Sequence, residues 1–525
     1  ALAANTSIIT VTDMQQVLFA DSSLLQNTAA GVISISSTGT LAFVTGSFTN
    51  LRMSNNYATE SFSGVVSLSF GASSGDWKVM HSIFENNSGG QRANGVFQVF
   101  ASARITLAVD RCTFRNNSAS TGGALAITLA QGNFSMSDTL FESNTATVGG
   151  GAVSMFTSSS APLYISPSDV IVSWTDVVFR QNVALSDTGG AFSAVMATFL
   201  FSMTRVHFVS NLAGRQGGGF TLLASGLEAS LNVTDSIFST NTALTEGGGI
   251  AVYGKDLTVQ INDCTFDNNT ARSGGGLFTD VHYVVLGMCT FSRNKALEQG
   301  GGVMTAAHLA PSYASIALCN FTHNFAQSGG AYSASRGALE LSNCLCAHNR
   351  ALTVGGCIVF AQYVVAQVFG SVFENNSAIG DVGVSPTRRT SGFDGAGGAI
   401  SSFTATATIS SCNFSGNAAA TDMGGAVSAT SSVFTIRRCL FQNNTATFGG
   451  GLAWNLQSQV AVMNSHFLQN HALLDGGGIY ATAFFASQLV TSVVSNNRAD
   501  RDGGGAYFAD AADGAAVVND YVNYT

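Results

Sequence analysis

The chain has 525 residues, 46% of them apolar and only 10% charged, with a formal net charge of −9. That balance, with 21 Lys and Arg spread thinly, excludes a basic surface for nucleic acid or for an acidic membrane. Charge this sparse, beside 58 Gly and 4 Pro, predicts an exterior of Ser, Thr, Ala, Asn and Gly.

The opening Ala1-Leu2-Ala3-Ala4-Asn5 holds no secretory apolar segment, which implies a removed signal or a piece of something longer. Residues 1–60 read as degenerate entry rungs. Asn27-Thr28-Ala29 and Asn56-Tyr57-Ala58 keep an Asn-x-Ala signature, but no Gly-Gly follows either, as expected of a terminal repeat.

Over residues 61–525 one unit recurs: Phe-x-x-Asn-x-Ala, a polar spacer, then Gly-Gly-Ala or Gly-Gly-Gly and an apolar residue. Phe-x-x-Asn begins at Phe84, Phe114, Phe141, Phe179, Phe208, Phe238, Phe266, Phe291, Phe321, Phe373, Phe414, Phe441 and Phe467. Looser copies begin at Leu24, Met53, Cys346 and Val494, which makes seventeen units. Steps of mostly 25 to 31 residues mean a stacked-repeat architecture. Short alternating runs such as Leu257-Thr258-Val259-Gln260-Ile261 have strand composition, and no window sustains a helical period. The expected fold is therefore all-β, a single-stranded right-handed parallel β-helix of about 17 rungs. Each rung has room for about three strands, and the rod is on the order of 80 Å long.

Each marker then has an expected task. Phe and the residue two before it point inward, so the rings of successive rungs form a file. Asn three after Phe is interior only if a bend falls between them. An amide ladder is expected of Asn117, Asn144, Asn182, Asn211, Asn241, Asn269, Asn294, Asn324, Asn349, Asn376, Asn417, Asn444, Asn470 and Asn497. The Gly pair permits positive φ and close rung contact. Cys112, Cys264, Cys289, Cys319, Cys344, Cys412 and Cys439 occupy the interior slot two before the Phe position. Stacking brings Cys264–Cys289, Cys319–Cys344 and Cys412–Cys439 within disulfide range, with Cys346–Cys357 inside one neighbourhood; buried free thiols are the equal alternative.

Insertions near 156–170 and 379–396, the second with Pro386, Arg388, Arg389 and Asp394, read as loops leaving the column. Pro311 marks a milder bulge. The uncharged runs 355–373 and 479–497 read as paired strands of a rung, so no membrane span is expected. After Gly503-Gly504-Gly505 a further rung starts, and an open end there would invite more chain or another subunit.

Chemistry is sparse. Asn-x-Ser/Thr sequons at Asn86, Asn116, Asn268, Asn375 and Asn443 immediately precede a ladder Asn, while those at Asn320 and Asn413 lie between interior Cys and interior Phe; both slots should face solvent and suit N-glycosylation. His323 and His348 take equivalent outward slots in adjacent rungs and read as surface histidines. Asp475 and Asp502 precede Gly triplets and read as solvated carboxylates in preference to a calcium pair. No rung collects a carboxylate cluster and no nucleotide or nucleophile motif occurs, so an enzyme, a metal or a cofactor is not expected.

Gly397-Gly398-Ala399-Ile400 together with the Phe-x-x-Asn copies resembles the repeats of the polymorphic outer membrane protein family, over roughly residues 50–510. Similar repeats occur in large eukaryotic surface proteins. In the bacterial family the β-helix is a passenger followed by a membrane barrel, and the resemblance implies an extracellular location and adhesion, not a reaction. The reading that follows is a secreted, cell-surface structural glycoprotein, a rigid rod that self-associates into a fibre, sheath or appendage. Its alternatives are an adhesin that recognises its ligand through the 379–396 loop and a polysaccharide-active enzyme with a carboxylate-lined groove.

Overall fold

The computed structural model describes residues 7–37, 43–59, 64–90, 92–157, 170–226, 229–308, 312–379, 396–509, 516–520 and 522–524. The insertions at 156–170 and 379–396 lie almost wholly outside these, as does Pro311. Every regular element among the described residues is a β-strand. The chain divides into two compact units, Ala1–Thr265 with Asn269–Ala271, and Phe266–Asn268 with Arg272–Thr525. Each is a β-solenoid of parallel, in-register strands, and together they hold about 16 turns, close to the seventeen sequence units.

One turn of the second unit shows how the sequence makes the path. Val433–Arg437 buries Phe434 and Ile436 by simple alternation. The next inward residue, Cys439, is three positions on instead of two, and the parity is reset by Arg438 at φ 53°. Leu440–Gln442 buries Phe441; the three-residue step to Asn444 is again reset one residue earlier, by Asn443 at φ 55°. Thr445–Phe448 then buries Ala446 before Gly449, at φ 63°, turns the chain into Leu452–Asn455. Each left-handed residue thus converts a step of three into a corner with both flanking side chains inside.

The turn has three faces, as the period predicts, but they are unequal. A wide face carries two strands, or one long strand such as Phe97–Asp110 of 14 residues; the Phe face and the Asn face carry strands of only two to six residues. Corners placed so close together on the Phe and Asn faces leave room there only for short strands.

Register is strict within each unit. In the first, Phe84, Phe114, Phe141, Phe179, Phe208 and Phe238 pair in sequence. In the second, Phe291, Phe321, Cys346, Phe373, Phe414, Phe441 and Phe467 do so. Rings of adjacent turns stack face to face, as in Phe84–Phe114 at 4.8 Å and Phe414–Phe441 at 4.8 Å, which is the strand spacing itself. The insertions do not break this order: Val153 pairs with Phe192, and Ile358 with Ile400. Ala two after Asn forms a small core of its own, with Ala378, Ala419 and Ala446 joined in one stretch by Ala396, which precedes a Gly pair. The Gly pair fits where nothing larger can, since a Cβ on Gly450 would lie 2.4 Å from the Gly477 carbonyl oxygen.

Candidate functional site

Two polar files run inside each unit. In the first, Asn117 Nδ2 donates to Asn144 Oδ1 at 3.0 Å and to the Phe84 carbonyl at 2.8 Å. Its Oδ1 accepts from the backbone N and the Nδ2 of Asn87, at 3.2 and 3.1 Å. The amide is fully buried and uses its complete hydrogen-bonding capacity. The same pattern links Asn144, Asn182, Asn211, Asn241 and Asn269 in the first unit. In the second it links Asn294, Asn324, Asn349, Asn376, Asn417, Asn444, Asn470 and Asn497.

The second file is the slot two before the Phe position, where Cys, Ser and Thr do one job and Leu51, Val177 and Val206 interrupt them. Ser82 Oγ donates to the Met80 carbonyl and accepts from the Leu51 N–H. Cys112 Sγ donates to Asp110 O, and the Cys112 N–H is received by Thr139 Oγ1. Cys319 N–H bonds Cys344 Sγ at 3.4 Å, and Cys344 N–H bonds Ser371 Oγ at 3.1 Å. Cys112, Cys264, Cys289, Cys319, Cys344, Cys412 and Cys439 are all buried free thiols, so the three inter-rung disulfides are not formed here. Burial pushes the Cys112 thiol up to about 12. Cys346 and Cys357 are joined, with Cα atoms 6.3 Å apart. The sequence carries the signal for this bond: Cys346 stands where other turns have Phe, and Cys357 where they have the Ala or Gly after the Gly pair.

Outside, Asn86, Asn116, Asn268, Asn320, Asn375 and Asn443 are exposed, and all but Asn320 stand at left-handed corners. Asn413 is half-buried, and its amide oxygen is enclosed without a partner, so it differs from the other sequon residues. The His323 and His348 rings are exposed and stack at 5.1 Å. Asp475 corrects the sequence reading: it is 1% exposed and ion-paired with Arg501, while Asp502 stays exposed. Arg501, one turn on, reaches back over the corner and replaces the water that a solvated carboxylate would need. Among the described residues no three His, Cys, Asp or Glu side chains converge as metal ligands, and no helix is long and apolar enough to cross a membrane.

The outer side of the wide face carries long uncharged stretches. In the first unit the strands Leu125–Ser137, Val153–Thr157, Val170–Thr175, Phe192–Met196, Leu200–Thr204, Phe220–Ala224 and Ala229–Thr234 contain no ionisable side chain. Phe156, Ile171, Leu200 and Leu223 are exposed on it among Ser and Thr. In the second unit Ile358–Phe360, Val364–Phe369, Ile400–Phe403, Thr406–Ser410 and Val427–Thr430 are likewise free of charge, with Val365 and Phe369 exposed. Charges lie on other strands of this face, as at Asp76, Lys78, Lys255, Asp256 and Glu340, at corners such as Asp176 and Arg205, and on the Phe face, where Glu85 is held by Arg52 and Arg115 at 2.6 and 2.8 Å.

The Chlamydia polymorphic membrane protein (Chlamydia_PMP) repeat matches residues 138–154 and 263–280. Both matched segments contain the Phe-x-x-Asn-x-Ala stretch whose Phe and Asn build the two stacked files. The chain carries repeats of the polymorphic membrane protein type. Over 176 residues the repeat chain is also 28% identical to the probable autotransporter YfaL of Escherichia coli (strain K12), a stretch covering 29% of this chain and 14% of that protein. No solved structure matches it. These similarities support a surface-exposed β-helix of the autotransporter-like kind.

Proposed function

We propose that this chain is a non-enzymatic structural element of a cell surface, a β-helical building block that packs against further copies of itself through its wide face. The observation that carries the reading is the charge-free stretch of that face between the strands Leu125–Ser137 and Ala229–Thr234. Exposed Phe156, Ile171, Leu200 and Leu223 lie there on a pleated surface with no desolvation cost for ions. Two such faces can stack at the spacing of packed sheets, roughly 10 Å. The exposed sequon residues Asn86, Asn116, Asn268, Asn375 and Asn443 lie at the corner between the Phe and Asn faces, away from the wide face. N-linked glycans there would cover the corner and leave the wide face clear. Imaging the native material and sedimenting the purified chain over a concentration series tests this. Lateral assemblies that grow with concentration are expected; a chain that stays monomeric throughout overturns the reading in favour of a surface adhesin.

A further inference from the structure

The second unit has a concave feature that neither the repeat nor self-association explains. A groove of about 380 Å³ runs along the corner between the wide face and the Phe face, across the turns that contain Ser371, Cys412, Cys439 and Ser465. Its rims are the corner residues Ser411, Arg438 and Asn464 on one side, and the in-register file Asn413, Leu440 and His466 on the other. It exists because Gly370 and Ser411 are small at a corner that Asn343, Arg438 and Asn464 occupy in neighbouring turns.

Three observations point to a ligand. The half-buried side-chain amide of Asn413 lines the groove and makes no hydrogen bond to any described residue. Arg438 is exposed and forms no ion pair with any described residue, and His466, also exposed, stands across from it. No carboxylate is among the described lining residues, so the groove offers a cationic donor, neutral side-chain amides and an apolar edge at Leu440. A guanidinium pairs bidentately with a carboxylate or a sulfate ester, side-chain amides take hydroxyls, and an aliphatic edge takes the C–H side of a sugar ring.

We propose that this groove binds an acidic saccharide. Arg438 and His466 hold its anionic group, and Asn413 and Asn464 hold its hydroxyls. The volume accommodates one or two sugar rings. The site stands independently of whether the chain self-associates through its wide face.

Calorimetric titration of the full chain with digalacturonate and with a sulfated disaccharide tests it; cellobiose serves as the neutral control and an aspartate-rich peptide as the non-sugar anion. Binding of one or both acidic sugars, weakened by salt, is expected, and their ratio tells carboxylate from sulfate ester. Arg438→Asn is the informative variant, because Asn tolerates the left-handed corner and the fold survives; it should weaken binding about tenfold or more, the loss expected of a charged hydrogen bond. Asn413→Ala should weaken it several-fold, with circular dichroism unchanged in both. Equal affinity in Arg438→Asn overturns the proposal. So does equal binding of cellobiose or of the peptide, no binding of either acidic sugar, or a covalent glycan on Asn413 in the native protein, which would itself fill the groove.

Discussion

At the scale of single residues, the chain uses the same position for different chemistry according to what stacks above and below it. Glu85 is 7% exposed, yet it lies between two guanidiniums, Arg115 and Arg52, one turn to either side. Hydrogen bonds from Arg115 and then Arg52 hold its carboxyl below the ordinary value of 4.5. A carboxyl depressed on folding stabilises the fold at neutral pH. That contribution is lost as the pH falls from the unfolded value through the lower folded one. Hydrogen exchange should therefore show the turn around Phe84 opening more readily in that acid window, and Glu85→Gln should flatten the dependence; a turn whose protection does not change with pH would show that the pairs contribute nothing. Cys112 illustrates the opposite case. Its single S–H lies within reach of two backbone carbonyls, Val79 O and Asp110 O, and the thiol is pushed up to about 12 by burial, so iodoacetamide should leave it unmodified in the native protein and label it only in denaturant. Labelling at the same rate in both conditions would show that this slot opens.

At the scale of the element, the turn is held by groups whose partners all lie in other turns. Asn444 accepts from the N–H and Nδ2 of Asn417 at 2.9 and 3.0 Å and donates to Phe414 O and Asn470 Oδ1, both at 2.9 Å. Asn444→Ala leaves the Asn417 N–H, the Asn417 amide and the Phe414 carbonyl short of partners. At about 1–3 kcal/mol for each buried group left unpaired, the local cost is about 3 kcal/mol or more. Hydrogen exchange at the Asn417 N–H reads this directly, since Asn444 Oδ1 is its acceptor; unchanged protection there would mean that the ladder is passive filling. Much of this element was legible in the sequence. The recurrence of Phe, Asn and Gly at fixed spacing is set by stacking, and stacking in register demands the same residue at the same place in every turn. The unequal faces were not legible, because strand length depends on where left-handed residues fall, and Ser143, Gln181, Thr240 and Leu318 adopt that conformation with no compositional mark. Nor was the Asp475–Arg501 pair, since a contact between residues 26 apart depends on a side chain crossing from one turn to the next.

At the scale of the whole molecule, sparse charge has a spatial meaning that composition does not show. In the first unit some wide-face strands carry exposed charges, as at Asp76, Lys78, Arg104, Lys255 and Asp256, but the successive strands from Leu125–Ser137 to Ala229–Thr234 are neutral. A face without charge gives association no electrostatic steering and no ion desolvation penalty, so contact through it should be insensitive to salt. Leu200 is the place to test this, being 42% exposed at the centre of that face beside Ile171. Leu200→Asp puts a carboxylate on an outward position, where the monomer loses little but a stacked partner would have to desolvate it. Sedimentation should show the parent chain assembling equally at low and high salt, and the variant remaining monomeric at concentrations where the parent associates. Assembly of the parent that melts away in high salt would place the contact on the charged corners instead, and assembly of the variant equal to the parent would remove this face from the interface.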